Sequence, residues 1–428
     1  MIIGIILLLL LGLPLAFTTG SVATIITLLL FGPDCLQLMV ARMYDMMGNY
    51  VLVAVPLFIF MAYMLERAGV AEQMFAAIYI WSGRIPGGLA IATIIACTIM
   101  AAMVGIVGAE VVTLGVIAVP TMLKRNYHKD IALGSVCAGG GLATLIPPSI
   151  VFIVYALAAG VSVGKLFVAG VVPGLLLAAV YIAYILTRCL INPKLAPPAP
   201  REERDLPFSE KAKKLKGLVL PFCVAFGVLG SIYAGVATPT EAAGVGCIGA
   251  TLSCWVNKKL NFAAVKEVVY NTVKITAMCY WLIFGAQMII GIYNLAGGAR
   301  FVKSVLTSLP IGTWGIIILM QLIWIFLGCF IDFIGILLLT VPLFVPIIVD
   351  LGFDPVWFGV VFCLNMQISY ISPPFAPSAF YLKGAVKEDI SLTEIYRSSL
   401  PYTFLIAVVL TFVIIFPDIA LWLTTKVK

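Results

Sequence analysis

The chain has 428 residues, of which 63% are hydrophobic and 11% are charged, and its formal net charge is +7. Soluble domains carry about 25% charged residues, so this composition excludes a soluble globular protein and indicates an all-helical protein that crosses a membrane several times. The apolar runs are continuous rather than alternating, which argues against a β-barrel. Ten scattered cysteines without a C-x-x-C pair, and His128 alone in a polar loop, argue against a disulfide framework and a metal centre.

The first half, residues 1–191, begins with a predicted membrane segment at 2–32, an interfacial connector at 33–49 and a span from about 50. Residues 88–123 are apolar, but the stretch from Gly105 to Glu110 interrupts them midway. Basic residues flank both ends, and basic loops mark the cytoplasmic side. We therefore predict a re-entrant helical hairpin over 88–123; two short spans of about 16 residues are the alternative.

A broken helix is predicted over about 130–160, because Gly139–Gly141 and Pro147–Pro148 lie inside an apolar run. In a helix, each glycine costs about 1 kcal/mol relative to alanine and each proline about 3 kcal/mol. Unwound backbone at membrane depth persists only where protein or water satisfies its polar groups, and in transporters such segments bind ions and substrates. A kinked structural helix is the alternative.

Residues 192–216 are predicted to form a cytoplasmic linker, because they contain seven Lys/Arg against four Asp/Glu. The second half, 217–428, repeats the earlier pattern. It has an apolar segment at 312–347 that is interrupted near Gly328 and Asp332, and a proline-broken segment at 355–384. Glu241, which follows Thr238, is predicted to cap the start of a helix.

The two halves match in the positions of prolines and acidic residues. Pro86, Glu110, Pro120 and Pro147–Pro148 recur at Pro310, Asp332, Pro342 and Pro373–Pro374, with offsets of 222 to 226 residues. Broken helices at corresponding positions of two halves are typical of secondary transporters. Because the basic loops place the two hairpins on opposite sides, we predict inverted repeats, each with a re-entrant hairpin and a broken helix.

Each hairpin tip is predicted to meet its broken helix at a cation site. Carbonyl oxygens and helix C-termini suit a cation such as Na⁺, and helix N-termini suit an anionic substrate group. The predicted cation-binding residues are Gly105, Glu110, Gly140, Leu142, Leu145 and Pro147 in the first half, and Gly328, Asp332, Asn365, Gln367, Ile368 and Pro373 in the second.

Four hydroxyl side chains are predicted to contact substrate: Thr144, Ser149, Ser372 and Ser378. The alternative is a hydrogen bond back to a helix carbonyl. Glu110 and Asp332 are acids at membrane depth, where a carboxyl group is a functional candidate. Ionised, each would neutralise a cation; protonated, either would carry a coupling proton. The alternative for both is capping of a helix N-terminus.

The sequence resembles the large membrane subunit of tripartite ATP-independent periplasmic (TRAP) transporters over nearly its whole length. The matching stretches are 145–149 with 165–174, 233–243, 332–342 with 352–355, and 373–374. The resemblance implies an elevator-type transporter of the ion transporter superfamily kind, in the bacterial inner membrane. It also implies Na⁺-driven uptake of an organic acid, a small four-helix (Q-type) membrane subunit, a periplasmic (P-type) binding protein and no organic cofactor.

This sequence departs from the family at the first hairpin. Gly105-Ile106-Val107 lacks the hydroxyls that the family often has there, and Glu110 replaces a small or hydroxyl residue. We therefore expect a first cation site in which Glu110 supplies charge, or a different coupling ion.

Three alternative functions compete with this one. The first alternative is a stand-alone ion- or proton-coupled carboxylate carrier. An intramembrane enzyme would need a catalytic dyad or a metal cluster, whereas Glu110 and Asp332 lie in opposed hairpins. A channel fits two opposed hairpins less well than alternating access does. No phosphate-binding loop is present, so the energy must come from an ion gradient or another chain.

Overall fold

The computed structural model describes residues 4–5, 7–8, 11–83, 85–105, 108–198, 218–298, 300–302, 304 and 310–426. Within them the chain is helical without a strand, as predicted. Most of the predicted linker and the tip residues 106–107 lie outside the described residues. Five helical stretches are long and apolar enough to cross a membrane: Tyr50–Arg67, Val163–Ile191, Phe262–Leu295, Phe333–Asp350 and Leu392–Ile415.

The first half contains nine α-helices whose bounds the structure describes. They are α1 Leu15–Leu30, α2 Leu36–Met47, α3 Ala54–Arg67, α4 Val70–Ser82, α5 Gly88–Val104, α6 Ala109–Lys124, α7 Lys129–Gly141, α8 Ile150–Ala159 and α9 Val163–Ile191. We call α5 and α6 hairpin 1, and α7 and α8 broken helix 1.

The second half continues with nine more α-helices whose bounds the structure describes. They are α10 Val219–Tyr233, α11 Pro239–Val256, α12 Phe262–Leu295, α13 Gly312–Gly328, α14 Phe333–Asp350, α15 Pro355–Ile371, α16 Pro377–Ala385, α17 Leu392–Ile415 and α18 Asp418–Leu421. We call α13 and α14 hairpin 2, and α15 and α16 broken helix 2.

The helix starts follow local capping chemistry. Thr238 precedes α11, and its hydroxyl accepts from Glu241 N at 3.3 Å while the Glu241 carboxylate accepts from Thr238 N at 2.8 Å. Ser391 and Glu394 form the same reciprocal pair at the start of α17. Such a pair satisfies two backbone N–H groups that have no partner within the helix. Glu241 therefore caps a helix, as the sequence predicted.

The helices pack in two neighbouring groups. In one group, α3 lies against α11 and α12, and α1 runs along α12. In the other, hairpin 1 packs on α7 and α16, and hairpin 2 packs on α8 and α15. The groups meet where α12 contacts α14 and where α3 contacts α5. The breaks in both hairpins and both broken helices belong to the second group.

Both broken helices have the same local form. In broken helix 1, α7 ends at Gly141, a 3₁₀ turn covers Leu142–Thr144, and α8 begins at Ile150. In broken helix 2, α15 ends at Ile371 and α16 begins at Pro377. The Pro147–Pro148 and Pro373–Pro374 peptide bonds are both cis.

Candidate substrate and cation site

The three glycines of broken helix 1 are the last residues of α7 and are helical, so the unwound segment starts after them. They permit close approach of hairpin 1. A Cβ atom on Gly139 would lie 2.6 Å from Cys97 Sγ of α5, and one on Gly140 would lie 2.1 Å from Val111 Cγ2 of α6. Both arms of hairpin 1 therefore pack on α7 at positions where an added Cβ atom would displace a neighbouring side chain.

Gly141 faces broken helix 2 instead. A Cβ atom there would lie 3.5 Å from both Gln367 Oε1 and Tyr370 Cδ1 on α15. Gln367 is fully buried, and neither polar atom of its amide has a hydrogen-bond partner among the described residues. The end of α7 thus brings hairpin 1 together with a polar stretch of the second half.

The tip of hairpin 1 rests on the unwound segment of broken helix 1. Gly105 has φ +60°, and a Cβ atom on it would lie 2.1 Å from Pro148 O. Of the predicted hydroxyls, Thr144 donates to Gly141 O at 2.9 Å and Ser149 donates to Thr144 O at 2.8 Å. Both hydroxyl groups therefore donate to backbone carbonyls, which is the alternative to substrate contact that the sequence left open. Their oxygen atoms can still accept a hydrogen bond.

Glu110 lies in the first turn of α6 and is fully buried. Neither carboxyl oxygen has a hydrogen-bond partner among the described residues, and the side chain does not cap its helix. The ion pairs formed in the described part of the chain do not include Glu110. Leaving a buried carboxylate unpaired costs several kcal/mol; so this position suits a bound cation or a protonated carboxyl group.

Asp332 has a different role at hairpin 2. It is half-buried and stands immediately before α14, where its Oδ2 accepts from Ile334 N at 3.1 Å. It therefore caps the N-terminus of α14, which is the alternative to cation binding given by the sequence. Hairpin 2 also touches broken helix 2, because a Cβ atom on Gly328 would lie 1.9 Å from Ser369 Oγ.

Asn365 of α15 is held in one orientation by α13. It is fully buried, and its Nδ2 donates to Gln321 O at 3.1 Å and to Gln321 Oε1 at 2.8 Å. Because the backbone carbonyl can only accept, Nδ2 must face α13 and Oδ1 must face away. Oδ1 has no partner among the described residues. The sequence prediction missed Gln321, although a glutamine inside the apolar α13 was a signal.

Unpartnered buried polar side chains are concentrated around the helix breaks. Within the described chain, the side chains near the breaks with at least one unpartnered polar atom are Glu110, Gln321, Asn365, Gln367, Ser369, Tyr370 and Ser378. Buried polar groups without a partner are uncommon in folded proteins and call for a ligand, ion or water. These residues come from both halves of the chain.

A cavity of about 370 Å³ lies between the two helix-break regions and α12. Its lining from the breaks comprises Gly105, Ile150, Val151, Asp332, Phe333, Ile334, Tyr370, Pro377 and Tyr381. The facing wall comprises Ile275, Met278, Cys279 and Leu282 of α12, with Pro14. An apolar cavity with a few placed polar groups is the form that small-molecule sites take.

The predicted site residues fall into three sets in the structure. Gly105 and Asp332 line the cavity. Behind it, fully buried or nearly so, are Glu110, Gly140, Leu142, Thr144, Leu145, Pro147, Ser149, Gly328, Asn365, Gln367, Ile368 and Ser378. Ser372 is half-exposed and Pro373 is exposed, so these two are the predicted residues that the fold leaves at the edge.

A larger crevice of about 680 Å³ lies away from the breaks, where α6 faces α3, α4, α12 and the segment 258–261 that joins α11 to α12. It is lined by both acids and bases, including Glu66, Glu72, Lys258 and Lys259. Its size does not make it the substrate site, because none of the lining residues belongs to a helix break. It marks the boundary between the two groups of helices.

The model of the family described as "Tripartite ATP-independent periplasmic transporter, DctM component" matches residues 2–419. The chain belongs to this family. It is 33% identical to the C4-dicarboxylate TRAP transporter large permease protein DctM of Pseudomonas aeruginosa, covering 92% of this chain and 91% of that one. It is 32% identical to the ectoine/5-hydroxyectoine large permease protein UehC of Ruegeria pomeroyi, covering 98% and 96%.

A third relative is the sialic acid large permease protein SiaM of Vibrio cholerae, with 30% identity over 96% of this chain and 95% of that one. These relatives are transport permeases rather than enzymes, so this DctM-family chain is a multi-pass membrane transport subunit. Among solved structures, the YdaH transporter of Alcanivorax borkumensis matches with a TM-score of 0.55 and 15% identity, covering 96% and 97% of the two chains. This likeness supports the transporter fold.

Proposed function

We propose that this permease takes up an organic acid across the bacterial inner membrane, driven by Na⁺, after a periplasmic binding protein hands the substrate over. The observation that carries the proposal is the convergence of both helix-break regions on one cavity. Gly105 and Ile150 reach it from the first half, and Asp332 and Tyr370 reach it from the second. The relatives' names, which cover dicarboxylates, ectoines and sialic acid, support carboxylates and related solutes as substrates.

The proposed architecture is a pair of inverted repeats. In each half, a two-helix hairpin precedes a helix broken at a Pro-Pro pair, in the same order. The domains would be 1–191 and 217–428, joined by the cytoplasmic linker at 192–216. The parity of basic loops, with Lys124 and Lys129 after hairpin 1 and Asp350 after hairpin 2, supports opposite orientations.

Na⁺ is proposed as the coupling ion because the helix breaks offer oxygen atoms without partners. Asn365 Oδ1 and both Glu110 carboxyl oxygens are buried and unpartnered among the described residues. Hard cations prefer oxygen ligands. One site would lie between Gly105, Glu110 and broken helix 1, and a second between Gly328, Asp332 and broken helix 2. We propose that the sites use backbone carbonyls as well.

We further propose an elevator movement. The second group of helices, which carries the breaks, would slide against the first group, which contains α3, α11 and α12. The charged crevice of about 680 Å³ between α6 on one side and α3, α12 and residues 258–261 on the other supports this division, because the faces there are not closely packed. Thr113 and Val116 of α6 lie on the moving side.

Two partners are proposed, a small four-helix membrane subunit and a periplasmic binding protein. Support for a separate small subunit comes from the isethionate permease protein DctMQ of Oleidesulfovibrio alaskensis, which is 27% identical over 96% of this chain but only 64% of its own length. The unmatched part of that longer relative leaves room for a second component that this chain does not cover.

Reconstitution into proteoliposomes tests the proposal. The permease would be co-purified with its small subunit. Its periplasmic binding protein would then be added, loaded with radiolabelled substrate. We expect uptake with an inward Na⁺ gradient and none when K⁺ replaces Na⁺. Uptake driven equally well by K⁺ would reject Na⁺ coupling, and uptake without the binding protein would favour a stand-alone carrier.

A proton-coupled carrier is the second candidate, and the buried Glu110 carboxyl group favours it. The same proteoliposomes distinguish the two ions. An inward proton gradient in Na⁺-free buffer should not drive uptake if Na⁺ is the coupling ion. Full uptake under that condition would select the proton.

A further inference from the structure

The cavity between the helix breaks is lined by two polar groups that differ in charge. One is the start of α8 at Ile150, where both Ile150 and Val151 line the cavity. The Ser149 side chain does not accept from an N–H group of this helix, and its hydroxyl donates to Thr144 O. The first N–H groups of a helix have no partner within it and carry partial positive charge. This end therefore suits one anionic oxygen group.

Tyr370 provides an independent sign that a polar ligand belongs here. Its side chain lines the cavity and is 2% exposed, and its hydroxyl has no hydrogen-bond partner among the described residues. A buried hydroxyl is normally satisfied. A ligand that fills the cavity would supply the missing partner.

The other polar group carries negative charge. Asp332 lines the cavity, and its carboxylate already occupies the N-terminus of α14 through the bond from Ile334 N. The aromatic ring of Tyr381 lines the cavity as well. The described lining residues include no lysine, arginine or histidine. A second carboxylate on the ligand would face Asp332 without a counter-charge, whereas a cationic group would meet a carboxylate and an aromatic ring.

We propose that this cavity selects a zwitterionic monocarboxylate over a dicarboxylate. The ligand's carboxylate would lie at the N-terminus of α8 near Tyr370, and its cationic nitrogen would lie between Asp332 and Tyr381. Asp332 would then serve the ligand's cation, and the second Na⁺ site would use Gly328 and broken helix 2. The apolar body would contact Ile275, Met278 and Leu282 of α12. A volume of about 370 Å³ accommodates a small solute of this kind. The inference rests on the proposed function, because it takes this cavity as the substrate site.

Three ligands of similar size isolate the charge. γ-Butyrobetaine has a carboxylate and a trimethylammonium group, 5,5-dimethylhexanoate replaces that group with an uncharged tert-butyl group, and glutarate carries a second carboxylate. Their affinities for the purified full-length permease would be measured by calorimetry at saturating Na⁺. We expect γ-butyrobetaine to bind about tenfold more tightly than either of the others, a difference that a partly desolvated cation–π and ion pair supplies. Equal affinities, the absence of binding by all three included, or tighter binding of glutarate would overturn the proposal.

Asp332→Asn separates the charge from the cap, because asparagine also caps helices. It should remove the preference for γ-butyrobetaine over 5,5-dimethylhexanoate. Asp354→Asn is the matched control, because Asp354 caps α15 through Val356 N but does not line the cavity; it should keep the preference. If Asp332→Asn changes only the Na⁺ requirement and leaves the preference intact, Asp332 serves the inorganic cation and the proposal is wrong.

The uptake assay distinguishes failure of this inference from failure of the proposed function. Uptake that ignores Na⁺, with the charge preference retained in calorimetry, rejects the coupling and leaves the preference standing. Na⁺-dependent uptake without the charge preference supports the coupling and rejects this inference.

Discussion

Hairpin 1 and hairpin 2 carry their acidic residues at different positions relative to the helix that follows. Glu110 is the second residue of α6, fully buried and unpartnered among the described residues. Asp332 precedes α14, half-buried, and accepts from Ile334 N. Equal spacing in the sequence suggested two equivalent residues. A shift of two positions along the helix start instead makes one acid a cap and leaves the other unpaired in the interior.

The hairpins also differ in what holds their tips. Gly105 of hairpin 1 faces a backbone carbonyl, Pro148 O, whereas Gly328 of hairpin 2 faces a side chain, Ser369. A side chain can be shortened by mutation and a carbonyl cannot. We therefore expect hairpin 1 to tolerate a substitution of its tip glycine less well than hairpin 2 does.

Gly105→Ala should have the largest effect. The new methyl group would lie 2.1 Å from Pro148 O and would also sit at φ +60°, which disfavours residues other than glycine. We expect transport to fall about 100-fold, equivalent to about 3 kcal/mol, in the proteoliposome uptake assay. Gly227→Ala, where nothing lies within 4 Å, is the control and should transport normally. Normal uptake by Gly105→Ala would show that the tip does not rest on Pro148 during transport.

Gly328→Ala should also impair transport, but a second mutation should restore it. Its methyl group would meet Ser369 Oγ at 1.9 Å and Cβ at 2.4 Å. We expect a loss of about tenfold, corresponding to about 1.4 kcal/mol, that Ser369→Gly recovers in the double mutant. Uptake by the single and double mutants would be compared with that of Ser369→Gly alone. A double mutant as poor as Gly328→Ala would contradict this contact.

Glu110→Gln tests whether the acid of hairpin 1 takes part in coupling. The amide removes the negative charge with little change in volume, so an ion that needs the carboxylate should bind several-fold more weakly. The concentration of Na⁺ for half-maximal uptake would be measured at several pH values, with Glu72→Gln, on α4, as the control. Unchanged dependence on both Na⁺ and pH would exclude a coupling role for Glu110.

The sequence was sufficient for the class of fold but not for the roles of side chains. Continuous apolar runs and proline pairs locate helices and their breaks, because backbone geometry responds to these residues directly. The helix starts at Thr238 and Asp332 follow from local capping chemistry. By contrast, the contact between Gln321 and Asn365 joins positions 44 residues apart. Only the packing of α13 on α15 reveals it, and no local pattern predicts it.

Gln321 is expected to position Asn365 for the second cation site. Gln321→Met keeps the volume but removes Oε1, which accepts from Asn365 Nδ2 at 2.8 Å. Losing one hydrogen bond of about 1 kcal/mol should raise the Na⁺ concentration for half-maximal uptake about fivefold and leave the maximal rate nearly unchanged. Gln321→Glu restores the acceptor oxygen together with a negative charge, so it should not raise the Na⁺ requirement. A fall in maximal rate without a change in the Na⁺ requirement would indicate a structural role.

The smallest expected effect is on the free energy of unfolding, and it should distinguish Asp332 from Glu110. Asp332→Ala removes a helix cap and should lower the free energy of unfolding by about 1 kcal/mol, while Asp332→Asn should retain most of it. Asp354→Ala removes the equivalent cap on α15, where the bond from Val356 N is 2.6 Å, and should cost a similar amount. Glu110→Gln should have no such cost, because Glu110 caps no helix. Denaturation of the purified permease in detergent measures all four. Equal losses for Asp332→Ala and Glu110→Gln would mean that the two hairpins use their acids alike.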